Sequence, residues 1–124
     1  MINGTFGEND ELLFELHLIA NNGLELPVEA WLDTGFSGWL AMNAQDLEAL
    51  DWIYVGQQKM ETAREEVNFD LYAGKVLLDR KEFDIPVHVG FGVPEILIGR
   101  QWLKSRRLVV DMRSLVLTLG DEIL

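Results

Sequence analysis

Leu32-Asp33-Thr34-Gly35-Phe36-Ser37-Gly38 is the stretch on which the fold turns. It follows the apolar Ala30-Trp31-Leu32 and gathers two glycines and two hydroxyls, the composition of a tight loop set directly after a buried strand. A carboxylate so placed is partly desolvated. Gly35 lets the backbone turn closely, and the Thr34 hydroxyl can bond across to a neighbouring loop and hold the carboxylate. The tripeptide alone leaves two readings open, because Asp-Thr-Gly also makes ordinary turns in which the carboxylate only caps backbone amides.

Upstream, Leu12, Phe14, Leu16 and Leu18 alternate with polar residues, and Leu24, Leu26, Val28, Ala30 and Leu32 resume the alternation after Asn21-Asn22-Gly23. Period 2 on both sides of a turn that tolerates positive φ predicts a hairpin running into Asp33. Pro27 cannot donate to a ladder, so its place is an edge or a bulge. Downstream, Trp39 to Met42 reads as a short strand, Asn43 as the cap of a short helix over Ala44 to Leu50, and Ile53 to Val55 as the return to the sheet. The polar stretch Gln57 to Gly74 reads as a projecting hairpin. Two further strands follow around Asp79-Arg80-Lys81, at Val76 to Leu78 and Phe83 to Val89. Gly90 to Pro94 is a loop, Ile96-Leu97-Ile98 a short buried strand, and Arg100 to Arg107 has helical composition. A last hairpin joins Leu108–Val110 to Leu115–Leu119. Many short strands with one or two short helices predict a mostly β protein, an antiparallel barrel or sandwich.

The chain has 124 residues, 48% of them hydrophobic, which fits one domain over 1–124 able to bury roughly two-thirds of its unfolded surface. Its formal charge of −11, from 10 Lys+Arg against 21 Asp+Glu, removes nucleic acid and anionic membrane from the expected partners. With no Cys there is no disulfide, no thiolate nucleophile and no Cys-ligated metal. Met1 to Asp10 is acidic and lacks Lys and Arg, the wrong charge for a targeting peptide, and no apolar run approaches the roughly 20 residues a membrane span needs. A cytoplasmic protein is expected. His17 and His88 have no third ligand at metal-site spacing, so no metal and no cofactor is expected, and both are read as solvated strand residues. The four Trp residues read as core or interface. Ser37 lacks the histidine partner and the spacing of a serine nucleophile.

The order of these elements resembles the retropepsin-like aspartic protease family, and the resemblance runs from about Leu12 to Leu119. It rests on the hairpin before Asp33, the 32–38 loop, the polar hairpin at Glu61 to Asp70, and Ile96-Leu97-Ile98-Gly99-Arg100 followed by Gln101-Trp102-Leu103-Lys104. Stand-alone bacterial, notably cyanobacterial, predicted proteases of the same clan are similar. The resemblance implies a closed β-barrel of the acid-protease type, one lobe per chain, active as a homodimer. It implies that Asp33, Thr34 and Gly35 form the catalytic triplet, and that Ile98, Gly99 and Arg100 brace it from below. Phe36 and Ser37, with Thr62, Ala63 and Arg64 at the tip of the polar hairpin (the flap), would then contact a peptide or protein substrate. It also implies that the terminal segments Met1–Phe6 and Leu115–Leu119 interleave between two chains.

One Asp-Thr-Gly per chain sets a stoichiometry, since peptide hydrolysis by this route needs two carboxylates sharing one proton. The second Asp33 must come from a second copy across a two-fold axis. Two features depart from the retroviral pattern: the flap tip near Ala63-Arg64-Glu65-Glu66 has no glycine, and Ser37 stands where an acidic partner for Arg100 is common. The alternative function is a catalytically silent module of the same fold that binds peptides or mediates assembly.

Overall fold

A computed structural model describes residues 1–61 and 66–121. The strands are β1 (Ile2–Asn3), β2 (Thr5–Phe6), β3 (Leu12–Ile19), β4 (Glu25–Leu32), β5 (Leu40–Asn43), β6 (Ile53–Glu61), β7 (Glu66–Leu78), β8 (Lys81–Gly90), β9 (Ile96–Ile98), β10 (Arg106–Asp111) and β11 (Val116–Asp121). The chain is mostly β with almost no helix, as the sequence leads one to expect.

The β3–β4 hairpin forms where the alternation places it. Phe14, Leu16 and Leu18 are buried while Glu15 is exposed, and the turn is held by the Gly23 N–H to Ala20 carbonyl bond (2.8 Å) and the Leu24 N–H to Asn22 Oδ1 bond (3.0 Å). Pro27 lies opposite His17 on a part of β4 that β9, paired at 30–32, does not reach, so its missing N–H falls at an open edge.

Six strands close a ring in the order β3-β4-β9-β5-β8-β7, with β7 returning to β3 through His17 opposite Leu77 and Leu18 opposite Val76. Closure removes the sheet edges that would otherwise stand unpaired. Inward side chains of these strands fill the interior, among them Phe14, Leu16, Leu18, Leu40, Met42, Val76, Val87 and Ile98. Trp52 and Trp102 join this core, each with its indole N–H satisfied by a carbonyl, of Ile19 (2.8 Å) and Trp39 (2.9 Å) respectively.

A second sheet, β1-β11-β10, packs on the same core through Leu117 and Leu119 of β11. Within the single chain the two terminal segments pair with each other, Ile2 opposite Leu119 and Asn3 opposite Thr118.

Three local expectations are corrected. Both helical segments are 3₁₀ turns, Ala44–Asp46 and Arg100–Lys104; the first is capped by Asn43 Oδ1 but is too short to repay α-helix nucleation. Arg106 and Arg107 belong to β10 instead of the second helix, because they pair with Asp121 and Gly120, while the Arg106 guanidinium lies 4.9 Å from the Phe83 ring centroid and 5.5 Å from that of Trp102. The second arm of the polar hairpin and the strand after it are one continuous strand: β7 passes through Gly74 unbroken because it is paired with β6 as far as Ala73 and with β8 from Asp70 to Leu78.

Candidate active site

β4 and β5 are consecutive strands, yet they do not pair with each other. β9 is inserted between them, parallel to β4 (Trp31 opposite Leu97, Leu32 opposite Ile98) and antiparallel to β5 (Leu40 opposite Ile98). The connection from β4 to β5, residues 33–39, must therefore arch over the end of β9. This is the topological reason a loop rather than a hairpin turn follows Leu32.

Backbone bonds fix the arch. The Asp33 N–H donates to the Ile98 carbonyl (2.9 Å), the Gly99 N–H to Trp39 (3.0 Å), the Arg100 N–H to Phe36 (2.9 Å) and the Gln101 N–H to Gly38 (3.3 Å). The Gln101 amide adds a bond from Nε2 to the Ser37 carbonyl (3.2 Å). Gly99 is where the two segments come closest: a Cβ there would sit 2.1 Å from the Gly38 carbonyl oxygen and 2.8 Å from that of Phe36, so only glycine fits without a backbone shift.

On top of this crossing, Asp33, Thr34 and Gly35 are exposed. The Asp33 carboxylate accepts the Gly35 N–H at Oδ1 (2.8 Å), which orients it, and the Phe36 N–H closes a turn on the Asp33 carbonyl (3.1 Å). Ile98 and Gly99 are buried beneath, and Arg100 is exposed at the start of the 3₁₀ turn. Among the described residues Arg100 makes no ion pair. Ser37 is half-buried. Phe36 is half-buried too, but its ring is committed to packing beneath the loop, edge-on to His88 with centroids 5.3 Å apart. Thr62, Ala63 and Arg64 lie outside the described residues.

His88 corrects the reading of a solvated histidine. It is only 4% exposed, on β8 directly below the loop, with Nε2 2.7 Å from Gln58 Oε1 and the Phe69 ring edge-on at 5.8 Å. Its burial pushes the ring's pKa below the ordinary histidine value; the Leu40 backbone opposes this, without the geometry of a hydrogen bond to the buried Nδ1. The period-2 pattern of β8 assigns His88 to the face opposite Val87 and Val89 and so to solvent, but the strand is buried on both faces at this point, and alternation alone does not show that. His17, by contrast, is partly open to solvent and within reach of Glu15 (3.5 Å) and Glu25 (3.2 Å).

Concavities on the flanks, one lined by Ile53, Val55, Ala73 and Pro86 and another by Leu26, Val28 and Ile96, do not include the 33–38 loop. No cluster of three or more His, Cys, Asp or Glu residues suited to a metal occurs among the described residues. No helix among them is long and apolar enough to cross a membrane.

No protein-family model and no curated protein matches this sequence. Solved structures do. A retropepsin-like aspartic protease from Rickettsia conorii superposes with a TM-score of 0.64 at 19% identity, over 97% of this chain and 89% of that one. The inhibitor-bound EIAV protease superposes with a TM-score of 0.63 at 14% identity, over 81% of this chain and 91% of that one. Agreement over nearly the whole chain, with β9 threaded beneath an Asp-Thr-Gly loop, identifies the architecture: the chain has the retropepsin-like fold.

Proposed function

We propose that the chain is an aspartic endopeptidase, working as a homodimer in which each copy supplies one Asp33. The observation that carries this reading is an exposed carboxylate held by its own loop amide on a backbone crossing that glycine alone permits. Such rigidity suits a group that must meet its symmetric copy at hydrogen-bond distance. An exposed Asp33 and Thr34 in a single chain fit residues that would be covered by a partner.

The chemistry follows from a pair of carboxylates sharing one proton. The ionised member takes a proton from water as the water oxygen attacks the peptide carbonyl carbon. The protonated member gives its proton to the carbonyl oxygen, forming a tetrahedral diol. Collapse of the diol breaks the C–N bond as a proton passes to the leaving amine. Neither a metal nor a cofactor is needed in this scheme, and the whole chain, residues 1–124, acts as one lobe.

Substrate would lie extended over the two Asp33 loops, bonded through its main chain. Ser37 and Phe36 would shape the floor of that cleft, and Thr62, Ala63 and Arg64 would close over it. The acidic chain favours cationic peptides by steering, and a cytoplasmic setting accords with the lack of Cys.

The test is to incubate wild type and Asp33→Asn separately with a denatured proteome and count new peptide termini by mass spectrometry. New termini from wild type alone are expected, because the amide keeps the shape but cannot hold the shared proton. Equal cleavage by both would sink the assignment. No cleavage by a folded, dimeric wild type would leave the peptide-binding module as the better reading.

A further inference from the structure

Under the Asp33 loop, one buried ring touches the loop, β6 and β7. His88 receives Phe36 of the loop edge-on (centroids 5.3 Å, planes at 89°) and Phe69 of β7 in the same manner (5.8 Å, 83°). A Cβ on Gly38 would lie 2.8 Å from His88 Cε1 and 3.0 Å from Nδ1, so the loop rests on the ring with nothing between. On the far side Nε2 reaches Gln58 Oε1 on β6 at 2.7 Å. β7 lies between these two strands, with Leu71 opposite His88, so the bond spans the width of the hairpin.

We propose that His88 is a positioning residue that latches the β6–β7 hairpin to the catalytic loop through Gln58 on one side and Phe36 on the other. The inference rests on the protease reading, whose site it deepens. An aliphatic side chain would fill the same apolar slot without leaving Nδ1 buried and unpartnered. What it could not do is hold Gln58. With the Gln58 oxygen accepting, Nε2 carries the hydrogen and the ring is neutral, the state that burial also favours. The charged residues on the elements packed around it are Asp33 on the loop, Lys59 and Glu61 on β6, and Glu66, Asp70 and Lys75 on β7, of which Asp70 accepts from Gln57 Nε2 at 3.1 Å; β5 brings none. The hairpin is thus fixed near its root by a polar contact while the rest of β6 has a free outer edge.

The test compares Gln58→Leu, His88→Leu, the double variant and His88→Gln, using amide hydrogen exchange and steady-state kinetics on one peptide substrate. Gln58 is exposed, so its variant spares the core. In Gln58→Leu, exchange at residues 53–60 and 66–71 should rise about tenfold while β3 and β4 keep their protection, and KM should rise with little change in kcat. His88→Leu should do the same. The double variant should add nothing further, and His88→Gln, whose amide can still donate to Gln58, should recover most of the protection. Unchanged exchange in the hairpin of Gln58→Leu, or additive effects in the double variant, would overturn the latch. If His88→Leu does not fold, Gln58→Leu and His88→Gln still decide it. A wild type that cleaves nothing, with the exchange pattern as stated, would remove the protease reading and leave the latch.

Discussion

In the crossing beneath Asp33, backbone groups from the loop, from Trp39 and from residues 98–101 bond to one another across long sequence separations, whereas the backbone of β6 in the hairpin pairs, among the described residues, only with its neighbour β7. The crossing has almost no slack: Gly99 has no room for a Cβ, and Trp102 below it is fully buried. The hairpin carries exposed Gln57, Gln58 and Lys59 on a strand with a bulge between Tyr54 and Gly56. One region is over-determined and the other is lightly held, a contrast that suits the protease reading, in which the reacting groups stay fixed and the cover moves.

Substitution should expose that contrast, beginning with the crossing. Gly99→Ala forces a methyl against the Gly38 carbonyl and should lower stability by about 3 kcal/mol, read from the urea midpoint, with loss of any cleavage. A near-native midpoint would show that the crossing has slack after all. Trp102→Phe removes the indole donor to the Trp39 carbonyl, which keeps the Gly99 N–H, and should cost about 1–2 kcal/mol.

Between the two regions lies His88, whose effect depends on pH. Its folded pKa is lowered, so the unfolded chain binds the proton more readily. The stability it allows is complete above the unfolded value near 6.5 and declines as pH falls through that value toward the lower folded one. Thermal scans from pH 7.5 to 5 should therefore show a steeper acid loss of Tm in wild type than in His88→Gln. Parallel curves would mean that the ring is already solvated. In the hairpin itself, Lys59→Ala should change stability by less than about 0.5 kcal/mol, since its side chain is exposed and the strand edge is free.

Sequence carried the barrel further than the site. The β3–β4 hairpin was legible because Phe14, Leu16 and Leu18 alternate without interruption, and β9 because three apolar residues sit before a glycine. The insertion of β9 between β4 and β5 cannot be read from periodicity, which says nothing about strand order; the resemblance to a known family implies only that residues 98–100 brace the loop, and the strand order is a fact of the folded chain. The 3₁₀ turns have the composition of longer helices, and composition does not register that each segment is pinned at both ends, the first by the Asn21 N–H to Leu50 carbonyl bond among others. His88 escaped because a lone histidine in a strand looks like any solvent-facing polar residue until its neighbours on other strands are known. The family resemblance implies that Gly99 is a brace, but the 2.1 Å approach that makes it one is a tertiary fact.

The threading of β9 also orders events in time. Asp33 is made well before Ile98, yet the carbonyl that anchors its backbone belongs to Ile98. Until residues 96–101 have left the ribosome, the loop has nothing to arch over, and the nascent chain carries a carboxylate with no geometry. Pairing of such distant segments is slow to nucleate because the intervening chain must first be ordered. Under the protease reading, the growing polypeptide is harmless to itself and to its neighbours on the polysome, and competence arrives only when most of the barrel has already closed.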